Sequence, residues 1–352
     1  MKQFLIKISC TVFPLWFAIV GLVAFYHFYI VPNMQGDLGN LGKIPTKLFY
    51  ERDRDLTINE TLFTTITKAE LIKNDTFDIV TCGDSFSQQG DYGYQNYMAL
   101  KGLSIINYFP HGKLRWNPFQ AAYDLIHQEF VDSANTKMLI IESVERSLVN
   151  RLLELEYNHT YMDEEDREGG THSTNHEPLS NAKNYLSFQL GLGNENPVKH
   201  LKMKKQLFSG TRGNFLYFYC EDIAGDGFSI SKDVYQQIRN SVDSLFNLAS
   251  KKNIQLIILI CPDKYDLFQN YVDNNPYPPK TINEDFRKII GNRKDIVIGK
   301  EILLPYIAHG QKDMYYFDDT HWSFKSAKII ADTLTNLYKL QLTSPITRSA
   351  SI

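Results

Sequence analysis

Hydrophobic and polar positions divide the chain into three stretches of different rhythm. From Ile8 to Val31 there is no Asp, Glu, Lys or Arg. About 20 apolar residues suffice to cross the hydrocarbon core of a bilayer as a helix, so residues 1–31 are expected to form a transmembrane signal-anchor. Lys2 and Lys7 precede the run, and no Lys or Arg follows it before Lys43. That asymmetry predicts a cytoplasmic N-terminus and an extracytoplasmic remainder. A cleaved signal peptide is the alternative; the length of the run and the lack of a small-x-small site after it favour the anchor. Residues 32–76 read as a connector, with helical periodicity over Glu60–Lys73.

From Phe77 the period alternates between strand and helix. Short apolar strands are expected at Asp78–Cys82, Leu103–Tyr108, Lys137–Ser143, Ile254–Ile260 and Asp295–Ile298. The Ile254–Ile260 run, IQLIILI, has the continuous apolar character of a central parallel strand. Helices are expected from Asn117, a good N-cap followed by Pro118, to about Phe130. Others are expected over Ser231–Lys252, Thr281–Ile290 and from Ser323 to about Leu340. This alternation predicts a parallel sheet with helices on both faces, an α/β domain over residues 77–345. Its rhythm breaks at about 155–214, where Met162 to Pro178 is acidic, His-rich and aperiodic, as expected of an insertion. The tail from Ser344 is polar.

Composition narrows the partners. Hydrophobic residues at 43% and charged residues at 22% permit a core and exclude wholesale disorder. The net charge of −3, without a basic stripe, argues against nucleic acid as a partner. The four cysteines, Cys10, Cys82, Cys220 and Cys261, are too few for a disulfide scaffold, and no His/Cys spacing suggests zinc. His172 and His176 read as solvated loop residues and Lys199–Lys205 as a solvated basic face. No metal and no cofactor are expected.

Two segments carry chemistry. Cys82-Gly83-Asp84-Ser85-Phe86-Ser87 follows an apolar strand, and Asp318-Asp319-Thr320-His321-Trp322 opens the last helix. They supply the parts of a serine nucleophile activated by an oriented imidazole. Ser85 lies where an α/β sheet binds ligands, beyond the C-terminal end of a strand. Asp318 and Asp319 are each near enough in sequence to orient His321. Alternatively, Asp318, Asp319 and Ser323 only cap the final helix.

Gly83-Asp84-Ser85-Phe86-Ser87 with a distal Asp-x-x-His resembles the SGNH (GDSL-type) hydrolase superfamily, over about residues 77–340. Asp319-Thr320-His321-Trp322 resembles more narrowly the polysaccharide O-acetylation proteins of the alginate acetyltransferase type. Glu142-Ser143-Val144-Glu145-Arg146 and Cys261-Pro262-Asp263-Lys264 also look like segments of that subgroup. The resemblance implies a three-layer sandwich, Ser85 as nucleophile and His321 as base and then acid. The superfamily spacing points to Asp318 as orienter and the subgroup spacing to Asp319, which is favoured. For the oxyanion hole it implies the Ser85 N–H, Gly112, and a third donor usually supplied by Asn. Here Arg146 stands near that place, as a donor or as an ion-pair partner of Glu142 or Glu145, and Asn214 is a further candidate. The serine segment precedes the Asp-His segment, as in ordinary SGNH enzymes and unlike the alginate subgroup. Lys264 is either a salt-bridge partner near the site or a surface lysine.

The function implied is a membrane-anchored extracytoplasmic O-acyltransferase, expected to transfer acetyl groups to a cell-surface or secreted polysaccharide. A multi-spanning membrane acyltransferase is the implied partner that supplies the acyl donor. A carbohydrate esterase, with water as acceptor, would use the same residues. A non-catalytic glycan-binding or scaffold protein is the reading from another class.

Overall fold

The computed structural model describes residues 2–109, 117–157, 197–210, 214–224 and 228–343. The strands are β1 (Thr64–Ile66), β2 (Phe77–Cys82), β3 (Ile105–Tyr108), β4 (Thr136–Val144), β5 (Val198–Lys202), β6 (Phe215–Tyr219), β7 (Gln255–Cys261) and β8 (Ile296–Ile298). The α-helices, numbered in chain order, are α1 (Lys2–Phe25), α2 (Gly36–Gly42), α3 (Tyr94–Ala99), α4 (Pro118–His127) and α5 (Glu145–Leu153). After them come α6 (Tyr235–Lys251), α7 (Lys264–Phe268), α8 (Ile282–Ile290), α9 (Gly299–Ala308) and α10 (Phe324–Thr343).

Six strands form one parallel sheet in the order β1-β3-β2-β4-β7-β8. From β2 the chain steps one way to β3 and then the other way to β4, β7 and β8. The reversal falls between β2 and β4, and doubly wound sheets bind ligands beyond the C-terminal ends of the strands at such a point. Alternation along the strands divides the core. Met138, Ile140, Ile257 and Leu259 face α3, α7, α9 and α10. Leu139, Ile141, Leu256, Ile258 and Ile260 face α4, α5, α6 and α8. Each of these fully buried side chains contributes about 1.5–3 kcal/mol relative to exposure.

The expected mixed α/β architecture is present, and so is the N-cap of α4: Asn117 Oδ1 accepts from Phe119 N at 3.0 Å and Gln120 N at 3.4 Å. The stretch Glu60–Lys73 is not the expected helix. Its β-branched Thr64-Thr65-Ile66 pairs in parallel with β3, and a 3-10 turn follows at Ala69–Asn74. Residues 32–76 are therefore part of the α/β body rather than a connector. The end of the expected insertion is also ordered, as β5 pairs antiparallel with β6. Residues 158–196, with His172 and His176, and the tail from Ser344 lie outside the described residues.

α1 continues through a π turn and a 3-10 turn to Asn33; its most apolar stretch has mean hydropathy 2.2 and is not buried by the rest of the chain, while Tyr26 and Ile30 near the end of the run are buried. It is long and apolar enough to cross a membrane.

A buried charge network ties β4 to β7 at their C-terminal ends. Lys280 Nζ lies 2.6 Å from Asp263 Oδ2, both side chains fully buried, and donates to the Asp222 carbonyl at 3.0 Å. Glu145 Oε2 accepts from Asp263 N at 2.9 Å, and Arg146 Nη1 reaches Asp263 Oδ1 at 2.6 Å. Removing one partner of such a pair strands a buried charge. Lys280→Met is expected to cost about 3–5 kcal/mol, read as a lower urea midpoint with an unchanged slope.

Candidate active site

Ser85 starts a 3-10 turn, Ser85–Gln88, directly after β2. Asp84 is the N-cap: its Oδ1 accepts from Phe86 N at 3.2 Å, and its Oδ2 takes Val144 N at 2.8 Å and Arg151 Nη1 at 2.7 Å. Asp84 thus fastens the turn to β4. Gly83 is needed for space rather than for an unusual φ. A Cβ there would collide with Ser87 Oγ and Glu142 Oε2. Glu142 Oε2 accepts from Asp84 N and Ser87 Oγ, both at 2.9 Å, from beneath. Burial, then the charge of Asp84, push Glu142 well above the usual carboxylate range. Ser85 itself is exposed, and among the described residues its hydroxyl has no hydrogen-bond partner.

His321 lies at the end of a tight loop closed by the Tyr315–Trp322 bridge. Trp322 is fully buried and packs edge-on to Phe86 at 4.9 Å between centroids. Phe86, the residue after Ser85, also packs against the His321 ring at 4.8 Å. The two predicted segments therefore meet through Phe86. His321 Nδ1 is 2.7 Å from Asp319 Oδ1. An ionised carboxylate only accepts, so Nδ1 carries the proton. Nε2 is buried with no hydrogen-bond partner among the described residues.

Asp318 does not touch His321. It is fully buried, with Thr46 Oγ1 donating to Oδ2 at 3.2 Å and Arg52 Nε donating to Oδ1 at 3.0 Å. Arg52 Nη2 also reaches Asp319 Oδ2 at 2.6 Å, so one guanidinium bridges both carboxylates. The guanidinium lies over the Tyr316 ring at 4.6 Å. α2 is seated on the same loop, with Leu38 N and Gly39 N donating to the Asp318 carbonyl at 3.0 and 3.2 Å. Asp37, on α2, puts Oδ2 3.2 Å from His321 Nδ1 and accepts from Thr320 Oγ1 at 3.0 Å. Sequence reasoning missed Asp37, Thr46 and Arg52. Only the Gly-Asp start of α2 and the charged run Glu51–Arg54 hint at them.

Lys264 is neither the salt-bridge partner nor the surface lysine expected. It is fully buried, and Nζ donates to the carbonyls of Tyr316, Phe317 and Asp319 at 2.7, 2.8 and 3.0 Å. Burial pulls its pKa down to about 7 despite the nearby Asp318 and Asp319. Burial also raises Asp318, against the attraction of Arg52. Burial pulls Asp319 the same way, but the bonds from His321 and Arg52 win and hold it below the usual carboxylate range. For His321, burial would lower the pKa, but the hydrogen bonds to Asp319 and Asp37 outweigh it and lift it to about 10.

The other expected oxyanion donors fall elsewhere. Arg146 pairs with Asp263 and Asp222 rather than with Glu142 or Glu145, because Asp263 closes on it from the end of β7. Asn214 adopts φ 60° and closes the β5–β6 hairpin, its Nδ2 donating to the Met203 carbonyl at 2.6 Å. Gly112 lies outside the described residues. Asp37, Asp319 and His321 converge their polar atoms within 4.8 Å. The Arg52 cation on Asp319 repels a metal ion there, and Nδ1 is engaged as a donor, so the cluster is better described as a hydrogen-bonded imidazole.

No family model matches the chain, and no curated protein matches it.

Gly36 has φ 68°, and a Cβ on it would strike the Asp318 carbonyl and Arg52 Nη2. Gly36→Ala is expected to unseat α2 at a cost of about 1–3 kcal/mol, and to speed limited tryptic cleavage at Lys43 and Lys47.

Proposed function

We propose that this chain is a membrane-anchored, extracytoplasmic O-acyltransferase acting on a polysaccharide through an acyl-enzyme on Ser85. One observation carries the catalytic part. An imidazole is held by a carboxylate on Nδ1, with Nε2 unpartnered, and packs on the residue next to an exposed serine at the switch point of a parallel sheet. Apo hydrogen bonds of this kind are commonly open and tighten with substrate. The N-terminal helix supports the membrane location, and the lysines before it support the orientation.

In the first half-reaction Ser85 Oγ attacks the acyl carbonyl carbon as His321 Nε2 takes the hydroxyl proton. The oxyanion is met by the Ser85 N–H. Collapse breaks the bond to the leaving oxygen, which receives the proton from His321. In the second, a sugar hydroxyl gives its proton to Nε2 and attacks the acyl carbon, restoring Ser85. Asp319 stabilises the imidazolium in both. Water in place of the sugar would make the same site a carbohydrate esterase. The acyl donor is expected from a multi-spanning membrane acyltransferase, and no cofactor is required.

Incubation with an activated acetyl ester is expected to give a one-acetyl adduct by intact mass, lost in Ser85→Ala. His321→Ala should slow its formation by roughly 10³–10⁴-fold or more. A candidate glycan that discharges the adduct faster than water supports transfer. A folded protein that never acylates refutes the reading. Because a base must be neutral and the His321 pKa is raised to about 10, ester turnover is expected to climb from pH 7 towards pH 10. A plateau already reached by pH 7 would contradict this.

A further inference from the structure

We propose that Asp37, carried on the segment that follows the membrane helix, is a positioning residue for His321, so that the catalytic imidazole is aligned only when that segment is seated. The proposal rests on the Ser85–His321 reading and adds to it a second carboxylate on the same nitrogen.

Three contacts argue for it. His321 Nδ1 has Asp319 Oδ1 at 2.7 Å and Asp37 Oδ2 at 3.2 Å, so two carboxylates flank one nitrogen. The same Asp37 oxygen accepts from Thr320 Oγ1 at 3.0 Å and so grips the residue before the histidine. α2, which bears Asp37, is fixed on the Asp318 carbonyl by two backbone N–H groups, which leaves the carboxylate little freedom to wander. A half-exposed carboxylate with no such role would turn to water instead of entering a polar loop beside another anion. The anionic pair is tolerated because Arg52 neutralises the far oxygen of Asp319 at 2.6 Å. The charged and polar groups around the ring are then Asp319, Asp37 and Thr320 on the Nδ1 side and Arg52 behind Asp319. Lys264 sits under the loop carbonyls, and the ring of Phe86 packs against the imidazole.

α2 begins at Gly36, three residues after the apolar helical run ends at Asn33. Whatever moves the protein relative to the membrane surface acts first on the element that delivers this second carboxylate. An O-acyltransferase that must collect its acyl group at the membrane would be aligned by that seating.

The test is the titration of His321 in the full-length chain in detergent micelles. Histidine-selective NMR reads it, with the signal assigned by its loss in His321→Ala. Asp37→Asn is expected to lower the His321 midpoint by about one pH unit, and Asp37→Glu to restore it towards the wild-type value. Should Asp37→Asn fail to fold, Asp37→Ser provides the same reading. An unchanged midpoint in the folded variant overturns the proposal. Ester turnover separates this from the functional reading: with acyl chemistry present, its acid limb moves down with the midpoint in Asp37→Asn. A shifted midpoint with no turnover in any form keeps the Asp37 role and removes the acyltransferase.

Discussion

Two adjacent aspartates with opposite duties cannot stand in a buried loop without a cation, and Arg52 supplies it. Asp318 is fully buried and Asp319 nearly so, and their mutual repulsion in a low-dielectric site would favour protonating one or opening the loop. One planar guanidinium meets both, Nε on Asp318 and Nη2 on Asp319, which a lysine's point charge would not do equally well. With the pair held, Asp319 stays ionised for His321, and Asp318 can present its carbonyl to α2. From the other side Lys264 gathers three carbonyls of the same loop, and the buried Trp322 pins its end. The loop is thus over-determined in a way that a capping sequence alone does not require. Ser323 still performs the capping, accepting from Lys325 N at 3.2 Å.

The serine side is built by a different economy. β2 and β4 are neighbours in register, Cys82 opposite Ile141, so Glu142 follows at the level of the turn. Glu142, its pKa raised by burial, lies under that turn and accepts two hydrogen bonds from it. Only glycine at position 83 leaves room for that approach. Asp84 spends both oxygens on structure here. The exposed hydroxyl at Ser85 is what remains unspent.

Much of this was legible in the chain and some was not, for physical reasons. The central strands could be read because parallel strands buried on both faces leave long apolar runs, as in Ile254–Ile260. The helix from Asn117 could be read because its cap is local. Thr64–Ile66 could not, since a three-residue edge strand has too few positions to display a period and its partner lies about forty residues away. Ser85, Asp319 and His321 were visible as residue types at strand-to-helix junctions. Arg52 and Asp37 were not, because their contacts reach across some 270 to 280 positions, and neither a charged run nor a lone Asp in a Gly-rich stretch carries a periodic signature. Arg146 was placed near the right strand end, but its choice of Asp263 over Glu142 or Glu145 depends on how β7 lies beside β4, which local sequence does not specify.

The order of stability within the molecule follows from the same facts. The sheet and its two helical layers bury long apolar runs, to which residues 32–52 add only Tyr50 and, partly buried, Phe49. α2 has seven residues, far below the length at which a helix persists alone in water. It exists because the Asp318 carbonyl satisfies two of its N–H groups and because Arg52, further along, closes over the loop. The last pieces of the site are therefore held by the least autonomous element, and that element is the one nearest the N-terminal apolar helix. Local opening there would cost far less than global unfolding, and it would separate Asp37 and Arg52 from the aspartates while Ser85, Phe86 and Trp322 remained packed. The exposed Ser85 thus lies on the rigid part, and the groups that align His321 lie on the part that joins it to the N-terminal apolar helix.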